Sequence, residues 1–78
     1  MDRKEKILHK FGQRLATLRK EKNLSLIELA VAAGLRHQQV QQIEAGKVNL
    51  LFTTILALAQ GLQVSPDELL QSIDFGGL

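Results

Sequence analysis

The 78-residue sequence has no cysteine, tryptophan or tyrosine, a single proline and only 4% aromatic residues. Without thiols there can be neither a disulfide framework nor a thiolate zinc site, and such a composition suits a reducing compartment, here expected to be the cytoplasm. A chain this short forms one small domain, residues 1–78, near the lower limit for an unaided hydrophobic core. Helices packed on helices, or a second subunit, are therefore expected rather than a large catalytic cavity. The two histidines, His9 and His37, fall on different elements with no carboxylate at metal-ligand spacing, and no glycine-rich phosphate loop is present. No acid–base pair can be assigned, so the sequence predicts no enzyme, cofactor, metal or small-molecule ligand. No signal peptide is expected from this N-terminus, where Met1-Asp2-Arg3-Lys4-Glu5-Lys6 alternates in charge and leads into an amphipathic stretch. Val48 to Pro66 runs 19 residues without a charge, which is long enough to span a bilayer. Asn49, Thr53, Thr54, Gln60, Gln63 and Ser65 interrupt it, so it reads as a buried helix and no membrane partner is expected.

Charge is unevenly placed. Residues 1–49 hold all 10 basic residues against five acids, a net +5, whereas residues 50–78 hold three acids and no base, a net −3. A basic N-terminal half points to a polyanion and a leucine-rich C-terminal half to protein contact. A merely solvated basic helix is the plainer alternative.

Leu8, Phe11, Leu15 and Leu18 recur at helical spacing, which predicts an amphipathic helix over about 4–22. Ser25 and Glu28 then form a capping box that starts a second helix at Leu26, and Gly34 after Ala33 ends it in the left-handed conformation. Gln38 to Glu44 follows as a third helix with Val40 and Ile43 as its narrow buried stripe, ended by Gly46. Thr53 to Gly61 makes a fourth. Ser65, Pro66 and Glu68 mark the start of a fifth, expected to reach about residue 73 before a frayed tail, Asp74 to Leu78.

Helices two and three, about residues 26–45, carry the spacing of a helix-turn-helix. Ala30 is small enough for close approach, Gly34 makes the turn, and Val40 with Ile43 anchors the second helix. An ordinary helical hairpin fits that short pattern as well. The longer run Leu18-Arg19, Leu24-Ser25, Glu28-Leu29-Ala30, Gly34, Ile43-Glu44-x-Gly46, Leu58-Ala59 and Glu68-Leu69-Leu70 matches in order and spacing. Over about residues 8–71 the chain resembles the DNA-binding domains of the phage-repressor, Cro or XRE, family. That resemblance implies an all-α, compact five-helix, lambda-repressor-like domain whose third helix enters the major groove of double-stranded DNA.

With Val40 and Ile43 inward, a rotation of about 100° per residue turns Gln38, Gln42 and Ala45 outward, with Gln41 beside them and His37 at the N-terminal end. Glutamine can pair with adenine N6 and N7, and histidine can donate to guanine N7 or a phosphate. A glutamine-rich face is also what simple solvation would leave. His37, Gln38 and Gln42 stand where the resembled repressors carry base-contacting residues, with Gln41 as a further candidate. The resemblance further implies phosphate contacts from Gln13, Arg14, Ser25, Arg36, Lys47 and Asn49, and a structural ion pair between Arg19 and Glu44, against which stands a DNA role for Arg19.

The chain departs from the family pattern. Leu26 replaces a glutamine common at the first position of helix two, and Arg36 replaces the serine or threonine cap of helix three. Leu50-Leu51 replaces a proline and a small polar residue, and Leu56 takes a commonly polar site. Local repacking would accommodate these leucines; a homodimer interface of Leu50, Leu51, Phe52, Leu56, Leu69 and Ile73 would use them. The function expected is a transcriptional regulator, a repressor or a restriction-modification controller-type protein, bound as a homodimer to a palindromic operator. The alternative is a protein-interaction module or antitoxin-like partner protein with the same fold.

Overall fold

Each helix begins where the local chemistry satisfies its first free amides. In the computed structural model, which describes residues 2–71 and residue 73, Asp2 opens α1 (Arg3–Glu21) by accepting from the Glu5 amide at 2.8 Å, and the Glu5 carboxylate accepts from the Asp2 amide in return. This Asp-x-x-Glu box starts α1 one residue before the apolar spacing does. Ser25 starts α2 (Leu26–Ala33) in the same reciprocal way with Glu28. Donation to the Glu28 carboxylate from the Ser25 backbone amide, and then from the Ser25 side chain, holds that carboxyl below its ordinary pKa. Ser65 caps α5 (Pro66–Leu70) through the Glu68 amide, with Pro66 at the first position. By contrast α3 (His37–Glu44) and α4 (Phe52–Leu62) begin at Arg36 and Leu51 with no side-chain cap.

Four helices end alike. Asn23, Gly34, Gly46 and Gln63 adopt positive φ of 59°, 71°, 73° and 59°, and in each case the next residue's amide reaches back to a carbonyl five residues earlier: Leu24 to Arg19, Leu35 to Ala30, Lys47 to Gln42 and Val64 to Ala59. Gly61 was expected to end the fourth helix and does not. It lies inside α4, where a Cβ would sit 3.1 Å from the Ala33 Cβ and amide nitrogen, so it serves the close approach of α4 to α2. Gln63 makes the stop two residues on. Helix α5 is also shorter than expected, five residues rather than a run to about 73; the tail Asp74 to Leu78 lies outside the described residues.

Helices α2 and α4 pack against each other, α1 lies across α3, and α5 closes the bundle against α1 and α4. Phe11, Leu15 and Leu18 of α1, Leu29 and Ala30 of α2, Val40 and Ile43 of α3, and Leu58, Ala59 and Leu62 of α4 meet in one core with Leu69 and Ile73. The last two correct an expectation. Leu69 of α5 is fully buried and Ile73, three residues beyond that helix, is 7% exposed; both turn into the core of this same chain, so neither is free for a partner. Among the described residues no helix is long and apolar enough to cross a membrane.

Candidate nucleic-acid interface

The helix-turn-helix consists of α2, the turn Gly34-Leu35-Arg36, and α3. Gly34 has open space where a Cβ would be, so its left-handed φ rather than crowding favours glycine there. Ala30, 2% exposed on α2, lets α3 approach, and Val40 and Ile43 bury the inner stripe of α3. Apart from the half-buried Glu44, the remaining positions of α3 face solvent: His37, Gln38, Gln39, Gln41 and Gln42, followed by Ala45. Among the described residues no hydrogen bond within the chain occupies the side chains of His37, Gln38, Gln41 or Gln42. Their amide and imidazole donors and acceptors are available to an incoming ligand.

Two contacts fix how α3 is presented. At Gly12 the backbone of α1 lies so close to the end of α3 that a Cβ would fall 2.5 Å from the carbonyl oxygens of both Ile43 and Glu44. About two turns further along α1, Arg19 Nε donates to Glu44 Oε2 at 2.7 Å and Nη2 donates to Oε1 at 3.1 Å, a two-pronged ion pair with both side chains 12% exposed. Its third arm, Nη1, donates to the Leu24 carbonyl at 2.8 Å. Arg19 therefore ties α1, the turn before α2, and α3 together, which is the structural reading of that residue.

The residues expected at phosphates divide. Gln13, Ser25, Arg36, Lys47 and Asn49 are exposed. Ser25 is engaged in its capping box, accepting from the Glu28 amide on its hydroxyl oxygen while its backbone amide donates to the Glu28 carboxylate. Arg14 is different. Its Nε and Nη2 donate to the Glu68 carbonyl at 3.2 and 3.0 Å, and Nη2 reaches Gln71 Oε1 at 3.3 Å. The guanidinium thus fastens the C-terminal carbonyl end of α5, where a cation is favoured by the helix dipole, and is engaged within the chain rather than standing free for the phosphate expected of it. A basic residue on a basic helix carries no sign of this until α5 is docked.

Of the leucine-rich segment, Leu51 and Phe52 are each 71% exposed, while Leu50 and Leu56 are half-buried. Gln39 was missed at the sequence level because it lies on the flank of the wheel, yet it is exposed. Gly12 was missed as well; a glycine amid good helix formers, one residue after a buried phenylalanine, was the available signal.

Residues 15–69 match the model of the helix-turn-helix family HTH_3. An uncharacterized HTH-type transcriptional regulator, y4dJ of Sinorhizobium fredii, is 36% identical over 63 residues, 81% of this chain and 82% of that protein. Among solved structures the chain is similar to the restriction-modification controller protein C.AhdI from Aeromonas hydrophila, at 45% identity and a TM-score of 0.78 over 80% of this chain and 94% of that one. It is also similar to an HTH_3 family transcriptional regulator from Vibrio cholerae, at 26% identity and a TM-score of 0.83 over 87% of this chain, but only 38% of that chain. With a family match across most of its length and the five-helix architecture in common, the chain belongs to the helix-turn-helix family HTH_3 and is a transcriptional regulator of that type.

Proposed function

We propose that the protein binds a palindromic operator in duplex DNA as a homodimer and regulates transcription by occupying it, in the manner of a controller protein. The observation that carries this reading is the outer face of α3, where His37, Gln38, Gln41 and Gln42 stand exposed on a helix fastened from behind by Gly12 and Arg19. Inserted into the major groove, Gln38 and Gln42 pair with adenine edges and His37 donates to a guanine or a phosphate at the helix N-terminus. Ser25, Arg36, Lys47, Asn49 and Gln13 set the register on the sugar-phosphate backbone. The exposed apolar pair Leu51 and Phe52, with Leu50 and Leu56 beside it, joins the two protomers so that their half-sites lie about 34 Å apart, one helical turn. Access to DNA places the protein in the cytoplasm.

Selection from a random duplex pool tests the reading. A palindrome with half-site centres one turn apart is expected, bound with an affinity that falls steeply as salt rises. Gln38→Ala or Gln42→Ala should relax preference at its own base pair by about 1–3 kcal/mol. Binding insensitive to salt, or a pool that shows no enriched sequence, contradicts it.

The dimer has its own check. Phe52→Glu replaces an exposed side chain at the first position of α4, so the fold should be retained while the charge opposes burial in an interface. Sedimentation should show wild-type dimer and variant monomer, with operator affinity reduced at least tenfold. A wild-type protein that sediments as a monomer at high micromolar concentration excludes this interface.

A further inference from the structure

A cavity of about 550 Å³ opens where the first turns of α1 meet the start of α4 and the chain just beyond α5. That volume is ample for a small molecule. Phe11 and Ile73, both buried, form its floor, and Ile7, Leu8, Leu50, Ile55 and Leu70 form its walls, each left half-buried. The sequence gives no sign of it, because segments from both ends of the chain supply the lining and an apolar hollow has no motif.

The polar part of the lining is small and of one sign. Arg3 and Lys4 stand in the first turn of α1, and Asn49 in the connection after α3. Among the described residues no ion pair or side-chain hydrogen bond engages Arg3 or Lys4. The neighbouring acids Asp2 and Glu5 spend their carboxylates on each other's backbone amides and do not line the cavity. Helix α1 gains nothing from two cations at its N-terminus, where the dipole favours anions. A ligand with a long apolar body and one negative head uses both features: the body covers the aliphatic walls, and the head meets a guanidinium fork and an ammonium. A sugar or a nucleotide would leave hydroxyls against leucine and isoleucine without partners. We propose that this cavity binds an unbranched aliphatic monocarboxylate, with its chain over Phe11 and its carboxylate on Arg3 and Lys4. The site stands apart from the DNA reading. Asn49 and Leu50, assigned to phosphate and to the second protomer, border it, but Arg3, Lys4, Ile7 and Leu8 belong to neither of those surfaces.

Calorimetric titration of the full chain, without DNA, separates body from head. In the series hexanoate, octanoate, decanoate, each kept below its micelle concentration, every added methylene should tighten binding by roughly three- to fourfold. Decyltrimethylammonium has the same tail and the opposite charge, and should bind less tightly than decanoate. Replacing both cations, Arg3→Gln with Lys4→Gln, should weaken decanoate by up to about fivefold for each charge removed and bring the two decyl ligands together. The fold of that variant should be kept, since Asp2 still caps α1. Ile7→Trp places a larger ring in the cavity from a half-buried position and should abolish decanoate binding with the melting temperature held. Ile55→Phe does the same from α4, and serves if the first substitution disturbs the fold.

The inference is overturned if affinity does not rise with chain length, if decyltrimethylammonium binds as tightly as decanoate, or if folded Ile7→Trp and Ile55→Phe both bind as the wild type does. Two further results give the cavity to another occupant and overturn it equally. Decanoate bound by the Phe52→Glu variant but not by the wild type means that a second protomer fills the space. Tighter binding by Phe75→Ser than by the wild type means that the chain's own Phe75 competes for it. None of these measurements contains a duplex, so a failure here leaves the operator reading standing, and a failure to select an operator leaves this site to be judged on its own titrations.

Discussion

Gly12→Ala is expected to lower the melting temperature by about 8–16 °C, although the same change in an exposed helix interior stabilises. In α1 the propensity difference alone favours alanine by about 1 kcal/mol. Against it stands the crossing with α3: the new methyl would lie 2.5 Å from two carbonyl oxygens, those of Ile43 and Glu44, and 2.8 Å from the Glu44 carbonyl carbon. These are backbone atoms at the end of a helix and cannot swing aside as a side chain can. Relief requires α3 to withdraw by roughly 1 Å to reach ordinary carbon–oxygen contact, which strips packing from Val40 and Ile43. Overpacking of this kind costs about 1–3 kcal/mol, and a backbone clash belongs at the upper end. Set against the propensity gain this leaves a net loss of about 2 kcal/mol, which in a domain of this size corresponds to the stated shift, since each kcal/mol moves the midpoint by about 4–8 °C. Gly61→Ala is the internal comparison. There the nearest atoms are 3.1 Å away, a contact that a few tenths of an ångström relieves, and its effect should lie within about 1 kcal/mol of zero. Thermal melts of the two variants side by side decide the matter, and equal midpoints would contradict the account.

These glycines illustrate which parts of the structure were legible in the sequence. Helix starts at Ser25 and Ser65 were, because a cap is a local event between residues three apart. The outer face of α3 was legible for the same reason: once Val40 and Ile43 are inward, rotation about the helix axis determines the rest. What escaped depends on docking between distant segments. Arg14 reads as one more cation until its guanidinium meets the Glu68 carbonyl, 54 residues away. Leu69 reads as an apolar surface until α5 rotates it into the core, and Gly61 reads as a stop until Ala33 is found against it. Glycine in a helix has two uses, a turn or a close crossing, and only the second element distinguishes them. The Asp2 cap was available locally and was outweighed by an apolar spacing that begins later.

Glu44→Ala should cost about 3 kcal/mol, the low end of what breaking a buried ion pair costs, because both partners keep 12% of their surface in water. The cost arises less from lost attraction than from the guanidinium left behind. Arg19 would keep one bond, to the Leu24 carbonyl, while its other two donors face a partly desolvated space without an acceptor. At 4–8 °C per kcal/mol the midpoint should fall by about 12–24 °C, and a melt within one or two degrees of wild type would contradict the pair's role. Replacing both partners separates the two causes: Arg19→Met with Glu44→Leu removes the stranded charge together with the pair and should recover most of the loss. Stability and recognition then part company. In the double variant nothing fastens the turn before α2 to the end of α3, so operator affinity should remain reduced even where the melt is restored. Equal recovery of both would mean that Gly12 and the buried stripe of α3 suffice to aim the glutamines, and that the ion pair stabilises the fold without orienting its DNA-reading helix.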